Sequence, residues 1–432
     1  MVSDVAYFFG GPLAISTFVL GAAGNLYVFQ RMGFPLERIF GTKEGEVPSA
    51  GGVAAFAGLL FILLGVLYEA FRRHDVLLMA QHHELVLVFY CLVVLLLIFA
   101  PFDILHRRFR HFLGRKLYKC LFPFTWQGSA TLRLPLTETP FVEVFLADGL
   151  TSMSKVFHDI AVGVLMLMES IDGRETIMYT SKMKRHPMPY LCAAMPYLIR
   201  ATQCLISYKR APLANDKFLH LLNTFKYGTG LCVIFVGALP AVLGASPATT
   251  SFFVLDGQTM FLLAACCNSL YSLFWDVVMD WGLGQPEAEA RYLRHPLLYR
   301  RPVVYYVAIG LDCGLRILWA TSNWAWVDIV GAEFKVVMEV AEVLRRCMWN
   351  CLRVEWQCVK LGLDLLKPVS PPLVRGGKTK NSNDRLDVLH EMPRSPTSVV
   401  IRNLADEDDA PLLHHQPLSP RKLKHTADEL VA

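Results

Sequence analysis

Residues 261–284 read FLLAACCNSLYSLFWDVVMDWGLG. The first half is apolar enough to lie in lipid. The second half carries Asp276 and Asp280, four apart and therefore on one face of a helix. A carboxylate facing acyl chains is costly, so the stretch reads as the end of a membrane span. Its two acids are expected to anchor arginines of other helices and to fix the helix terminus.

The rest of the chain agrees with a membrane reading. It has 432 residues, of which 54% are hydrophobic and 18% charged, with mean hydropathy +0.38. A soluble chain of this size carries about 25% charged residues. Apolar stretches occur at Val5–Phe29, which has no charged residue, then at Gly51–Leu67 and Leu85–Phe102. Later candidates are Ser152–Met168, Leu191–Ser207, Thr229–Leu243, Met260–Val278, Val303–Ala320 and Val327–Arg353. With about 20 residues needed per crossing, the expected fold is an all-α polytopic transmembrane bundle of about eight to ten spans.

Three regions divide the chain. Residues 1–139 hold the N-terminal transmembrane helices, the first of them retained rather than cleaved, and a basic segment, HRRFRHFLGRKLYKC (106–120), with six Lys or Arg. Its position after a span and its spacing suit a cytosolic amphipathic helix lying on lipid headgroups. Residues 140–366 form the central membrane domain. From 367 to 432 the chain turns polar and proline-bearing, which reads as a disordered cytosolic tail. Within the tail DDAPLL (408–413) has the shape of an acidic dileucine sorting signal, hence a coat or sorting adaptor as a possible partner. The 11 cysteines include no CxxC; Cys347, Cys351 and Cys358 share one helical face and read as small packing groups. No ligand set for a metal and no cofactor motif stands out, and the net charge of +5 is too small to suggest a nucleic-acid partner.

Beyond residue 140 ionisable groups recur at helical spacing. Asp148, Ser152, Lys155 and Asp159 fall at steps of four, three and four. Arg200, Gln203 and Ser207 share a face, as do His220, Asn223 and Lys226, with Tyr227 adjacent. Asp312 pairs with Arg316 at i,i+4, and Trp319 follows one turn on. Glu339, Glu342, Arg346, Asn350 and Arg353 align, with Arg345 beside them. One reading is structural, with buried ion pairs knitting helices together, and Asp276, Asp280, Asp312 and Glu342 are the acids expected in that role. The other is a hydrated path whose arginines and lysines, from four segments, would carry an oxyanion. Nothing pairs a nucleophile with an adjacent base, so no enzymatic activity is expected.

Six strings resemble the EXS family, the membrane domain of eukaryotic phosphate exporters. They are FLADGLTSMS (145–154), LIRATQCLISY (198–208), HLLNTFKYGTG (220–230), YSLFWDVVMDWGL (271–283), LDCGLRILWA (311–320) and EVLRRCMWNCLRVE (342–355). The resemblance implies a helical exporter of inorganic phosphate, a homodimer in contact with membrane lipids. Its phosphate contacts map onto Asp148, Thr151, Ser154, Arg200, Lys226, Tyr227, Arg316, Arg345 and Arg346, with Trp319 as a gate. Thr151 stands where family exporters have Asn, and Ile206 and Ser207 where they have two arginines, departures that bear on affinity, rate and cargo.

The chain begins at its first apolar helix, without the SPX domain of plasma-membrane relatives. It is therefore similar to the short branch typified by a yeast protein named for defective retention of endoplasmic-reticulum residents. That likeness implies a Golgi membrane location, the plasma membrane being the alternative, and return of phosphate released by lumenal glycosylation. The rival function is a scaffold that retains glycosyltransferases through the tail.

Overall fold

The computed structural model describes residues 2–73, 85–103, 106–122, 140–171, 185–244, 251–252, 255–286, 288, 291–321 and 327–362. All of them belong to a compact unit, Met1–Val374. The tail expected from residue 367 lies outside the described residues.

The helices follow the apolar stretches closely. They are α1 (Val2–Arg31), α2 (Leu36–Phe40), α3 (Ala50–Arg73), α4 (Leu85–Phe99), α5 (Arg107–Leu121), α6 (Phe141–Thr151) and α7 (Ser154–Ile171). Then come α8 (Met188–Arg210), α9 (Ala214–Leu243), α10 (Gly257–Phe274), α11 (Pro302–Thr321) and α12 (Val327–Lys360). Two two-residue strands, β1 (Ser251–Phe252) and β2 (Leu255–Asp256), pair antiparallel just before α10. Asp256 caps α10, accepting from the Thr259 amide at 3.3 Å and its hydroxyl at 2.5 Å. Those two bonds favour the ionised carboxylate and hold Asp256 below the usual carboxylate range.

Among the described residues, four helices are long and apolar enough to cross a membrane: Phe8–Arg31, Ala50–Arg72, Ala214–Leu243 and Gly257–Asp280. Phe141–Thr151 with Ser154–Glu169, bent by 61°, makes a fifth. The chain is a multi-pass, all-α membrane protein. The larger count expected from sequence included α4, which is apolar but only 15 residues long. It also included α8 and α12, whose inner faces bury Arg200, Gln203, Glu339, Arg345, Arg346 and Asn350, so their average apolarity falls while their lipid-facing sides stay greasy.

Helix α1 is the hub and packs on α3, α4, α7 and α12. On one side Phe8 and Phe9 meet Leu67, Val86, Tyr90, Val162 and Met166. Tyr90 is 0% exposed, and its hydroxyl lies 2.7 Å from Ser16 Oγ, which donates to Pro12 O. On the other side α1 meets α12 through small groups: a Cβ on Gly21 would lie 2.1 Å from Cys347 Sγ, so the backbones touch only because residue 21 is glycine. Cys351 Sγ contacts Asn25 Oδ1 at 3.6 Å and Cys358 is fully buried beside Phe29 and Phe34. The three cysteines are indeed packing groups.

The basic segment forms α5, with Arg107, Arg108 and Arg115 exposed. Arg110 turns inward instead and is 4% exposed. Its guanidinium donates to the carbonyls of Leu97, Ala100 and Phe102, the last two at 3.1 and 2.7 Å. These are among the orphan acceptors at the end of α4. A second arginine, Arg294, pins the segment between α10 and α11. It pairs with the wholly buried Glu355 at 2.9 Å and lies over the rings of Tyr305 and Trp356.

Candidate functional site

The site begins where two helices lose their regular form. The polar face expected to run without interruption from Asp148 to Asp159 is broken at Ser152 and Met153, between α6 and α7. Thr151 Oγ1 donates to Asp148 O at 2.7 Å. The amides of Ser152 and Met153 reach back only three residues, to Gly149 O and Leu150 O. The tightened turn tips α7 by 61° and leaves its N-terminal residues, Ser154 and Lys155, on the wall of a cavity. A helix N-terminus there supplies backbone donors and a partial positive charge.

The second irregularity is Trp275–Asp280, which is π-helical. Trp281 N donates to Asp276 O, five residues back, at 2.9 Å. Such turns are rare and gather at functional positions. Asp276 and Asp280 share Lys226, while Asp276 also reaches Arg316 and Arg345 and Asp280 reaches Arg353. Gly282 ends the turn at φ +65°, where a Cβ would also strike the Trp356 ring at 2.5 Å.

Between these features lies a cavity of about 500 Å³, within the ordinary range for ligand sites. Of the residues expected on an anion path, Asp148, Thr151, Ser154, Lys226, Tyr227, Arg316, Arg345 and Arg346 all line it. Arg200 does not. It sits behind the wall, 3% exposed, with Nε 2.6 Å from Asp148 Oδ1 and 3.0 Å from the Tyr227 hydroxyl. Its other end reaches Gln203 Oε1 at 2.5 Å. Tyr227 in turn donates to Asp148 at 2.7 Å. The side chain of Trp319, the expected gate, lies outside the described residues.

The four acids named for structural roles divide the cations among them. Asp276 takes the short contact from Arg316 and lies 3.5 Å from both Lys226 and Arg345. Asp280 is 3.5 Å from Lys226 and 3.6 Å from Arg353. Asp312, fully buried, receives Arg316 at 3.0 Å and Arg345 at 2.7 Å. Glu342 grips Arg345 with both oxygens, at 2.7 and 2.8 Å. A charge buried beside its partner retains an interaction that water would otherwise screen, and each of these cations is thereby held in place.

Arg346 is different. Its nitrogens contact only hydroxyls, Ser152 Oγ at 2.8 Å and Thr151 Oγ1 at 3.3 Å, and its guanidinium lies 4.6 Å from the Trp349 ring centre. Among the described residues it makes no ion pair with a carboxylate. Ser152 also donates to Glu342 at 2.7 Å, so the hydroxyl joins an unpaired guanidinium to a paired one. The arrangement can receive an oxyanion: a planar fork facing the cavity, hydroxyls beside it, and Arg345, Arg316 and Lys226 on the same wall.

Sequence reasoning missed several walls of this cavity. Tyr197, His158, Asn268 and Ser272 line it. Tyr197 precedes Arg200 by one turn, and Asn268 and Ser272 are four apart, so the helical repeat placed them on the right faces. Nothing in their identity set them apart from ordinary span residues.

The EXS family model matches residues 5–359. Phosphate transporter PHO1 homolog 10 of Arabidopsis thaliana is 24% identical over 77% of this chain and 40% of its own length. Phosphate transporter PHO1-1 of Oryza sativa subsp. japonica is 26% identical over 70% of this chain and 34% of its own. Protein ERD1 homolog 1 of Schizosaccharomyces pombe is 29% identical over 51% of this chain and 58% of its own length. The chain thus spans less than half the length of these plant relatives.

Proposed function

The chain belongs to the EXS family, and we propose that it carries inorganic phosphate across a membrane through the cavity between α6, α7, α8, α9, α10, α11 and α12. The observation that carries this reading is Arg346, a buried guanidinium facing the cavity with hydroxyls and, among the described residues, no carboxylate at ion-pair distance. An arriving phosphate would take the place of water at its fork, with Thr151 and Ser152 as neutral neighbours. Arg345, Arg316 and Lys226 would lower the energy of the anion without trapping it, because Glu342, Asp312, Asp276 and Asp280 already engage them. Passage needs binding strong enough to admit an ion and weak enough to release it, and partly neutralised cations meet that need.

The Golgi is the membrane we propose, with return of lumenal phosphate to the cytosol as the task; the likeness to the ERD1 homolog is its support. A homodimer and a coat adaptor at the tail are proposed from resemblance and motif alone. The scaffold reading depends on residues 367–432, outside the described residues, and no observation in the described chain favours it.

The test is phosphate efflux from proteoliposomes holding the full chain, with sulfate as competitor. Arg346→Ala is expected to cut saturable efflux by roughly a hundredfold while the protein keeps its elution profile. Undiminished efflux in a folded Arg346→Ala variant would overturn the proposal.

A further inference from the structure

Two carboxylates from distant parts of the chain share one ammonium beside the cavity. Asp159 of α7 makes a short contact with Lys155 Nζ, and Glu339 Oε1 of α12 lies 3.1 Å from the same atom. Asp159 is 1% and Glu339 8% exposed. His158 Nδ1 is 2.9 Å from the other Asp159 oxygen, and its ring meets Tyr190 of α8 edge-on at 5.5 Å. Lys155, His158 and Tyr190 all line the cavity that holds Arg346, so water reaches this group.

Glu339 Oε2 is buried without a hydrogen-bond partner. From α1 it meets Gly10, whose Cβ, were there one, would stand 3.1 Å away. The neighbouring described side chains of α1, Phe9 to Ala14, bring no charge. On α12 itself the next acid, Glu342, is occupied by Arg345 and Ser152. Among the described side chains, with both acids ionised and His158 neutral, the group carries one negative charge more than Lys155 offsets and one buried oxygen without a hydrogen-bond partner. Both are costly, and a single proton removes both.

We propose that Asp159 and Glu339 hold one exchangeable proton over Lys155, and that its presence governs how readily an anion passes. When the proton leaves, a negative charge stands on the wall of the path and repels phosphate. When it returns, the group is neutral and the cations opposite act unopposed. His158, at the cavity surface and hydrogen-bonded to Asp159, is the route for the proton. The inference rests on the reading of the cavity as a phosphate path.

Two measurements test it. In proteoliposomes, phosphate flux is followed against pH for the wild-type chain and for Glu339→Gln, which is neutral at every pH. Phosphate changes charge with pH in both, so the ratio of the two is the readout. Wild-type flux should match the variant in acid and fall severalfold below it in alkali; a ratio constant with pH overturns the proposal. In difference infrared spectra of the phosphate-free protein, a pH-dependent protonated-carboxyl band should be present in wild type and absent from Glu339→Gln; an unchanged band overturns it. Asp159→Asn gives the same comparisons should the first variant fail to fold. A band lost as expected in proteoliposomes without saturable phosphate flux at any pH would sink the phosphate reading and the coupling with it, leaving only the proton site.

Discussion

Arg346 Nε lies 2.8 Å from Ser152 Oγ, across 194 residues of sequence. The pairing ties the broken α6–α7 span to α12, and among the described residues no carboxylate stands at ion-pair distance from this guanidinium.

Arg346→Lys should separate charge from geometry. The ammonium keeps the charge but loses the planar fork, so efflux is expected to fall by roughly tenfold where Arg346→Ala falls by roughly a hundredfold, corresponding to a charged hydrogen bond of about 1.5–3 kcal/mol. Initial rates of labelled phosphate efflux distinguish the two. Equal rates for Lys and Arg would show that only the charge matters.

Arg200 should behave as a structural group. Removing it alone leaves Asp148 buried and uncompensated, so Arg200→Met is expected to cost about 3–5 kcal/mol. The double change Arg200→Met with Asp148→Leu should recover much of that, because neither charge is then stranded. Thermal unfolding in detergent measures it. A double variant no more stable than the single one would contradict the pairing.

Gly21 and Cys347 form a steric pair. Gly21→Ala places a methyl carbon 2.1 Å from Cys347 Sγ and is expected to destabilise by about 1–3 kcal/mol, as overpacking does. Adding Cys347→Ala removes the sulfur and leaves a tight 3.3 Å approach to its Cβ, so stability should largely return. Thermal unfolding of the four proteins in the cycle gives the coupling directly.

Arg110→Ala should loosen the end of α4. Carbonyls now bonded to the guanidinium, at the part-buried Ala100 and the exposed Phe102, exchange that donor for water, so the expected cost is small, about 0.5–1.5 kcal/mol. Amide hydrogen exchange over residues 95–112 is expected to quicken, while Arg107→Ala, an exposed neighbour on the same helix, should change little. Equal effects of the two would mean that α5 is held by charge in general.

Much of the architecture could be read from the chain. The stretch Val303–Ala320 became α11 with an extra residue at either end, and the basic run 106–120 became α5. One helical pairing was legible as well: Asp312 and Arg316, four apart, do pair. Two features were not legible. The π-helical turn at Trp275–Asp280 and the break at Ser152 both sit in sequence that a regular helix would tolerate. Only contacts from other helices make the irregular forms preferable, for example Trp356 against Gly282.

What the sequence determined by itself was therefore local: where apolar runs are long enough to be helices, and which side of each helix carries polar groups. A repeat of 3.6 residues fixes those relations inside one element. The tertiary structure decided how charge is shared between elements. It put Arg200 behind a wall, set Arg346 against hydroxyls with no ion pair among the described residues, and brought Glu339 to Lys155 across 184 positions. Neutralisation falls off with distance and depends on what else is buried nearby, and those distances exist only once the helices have packed.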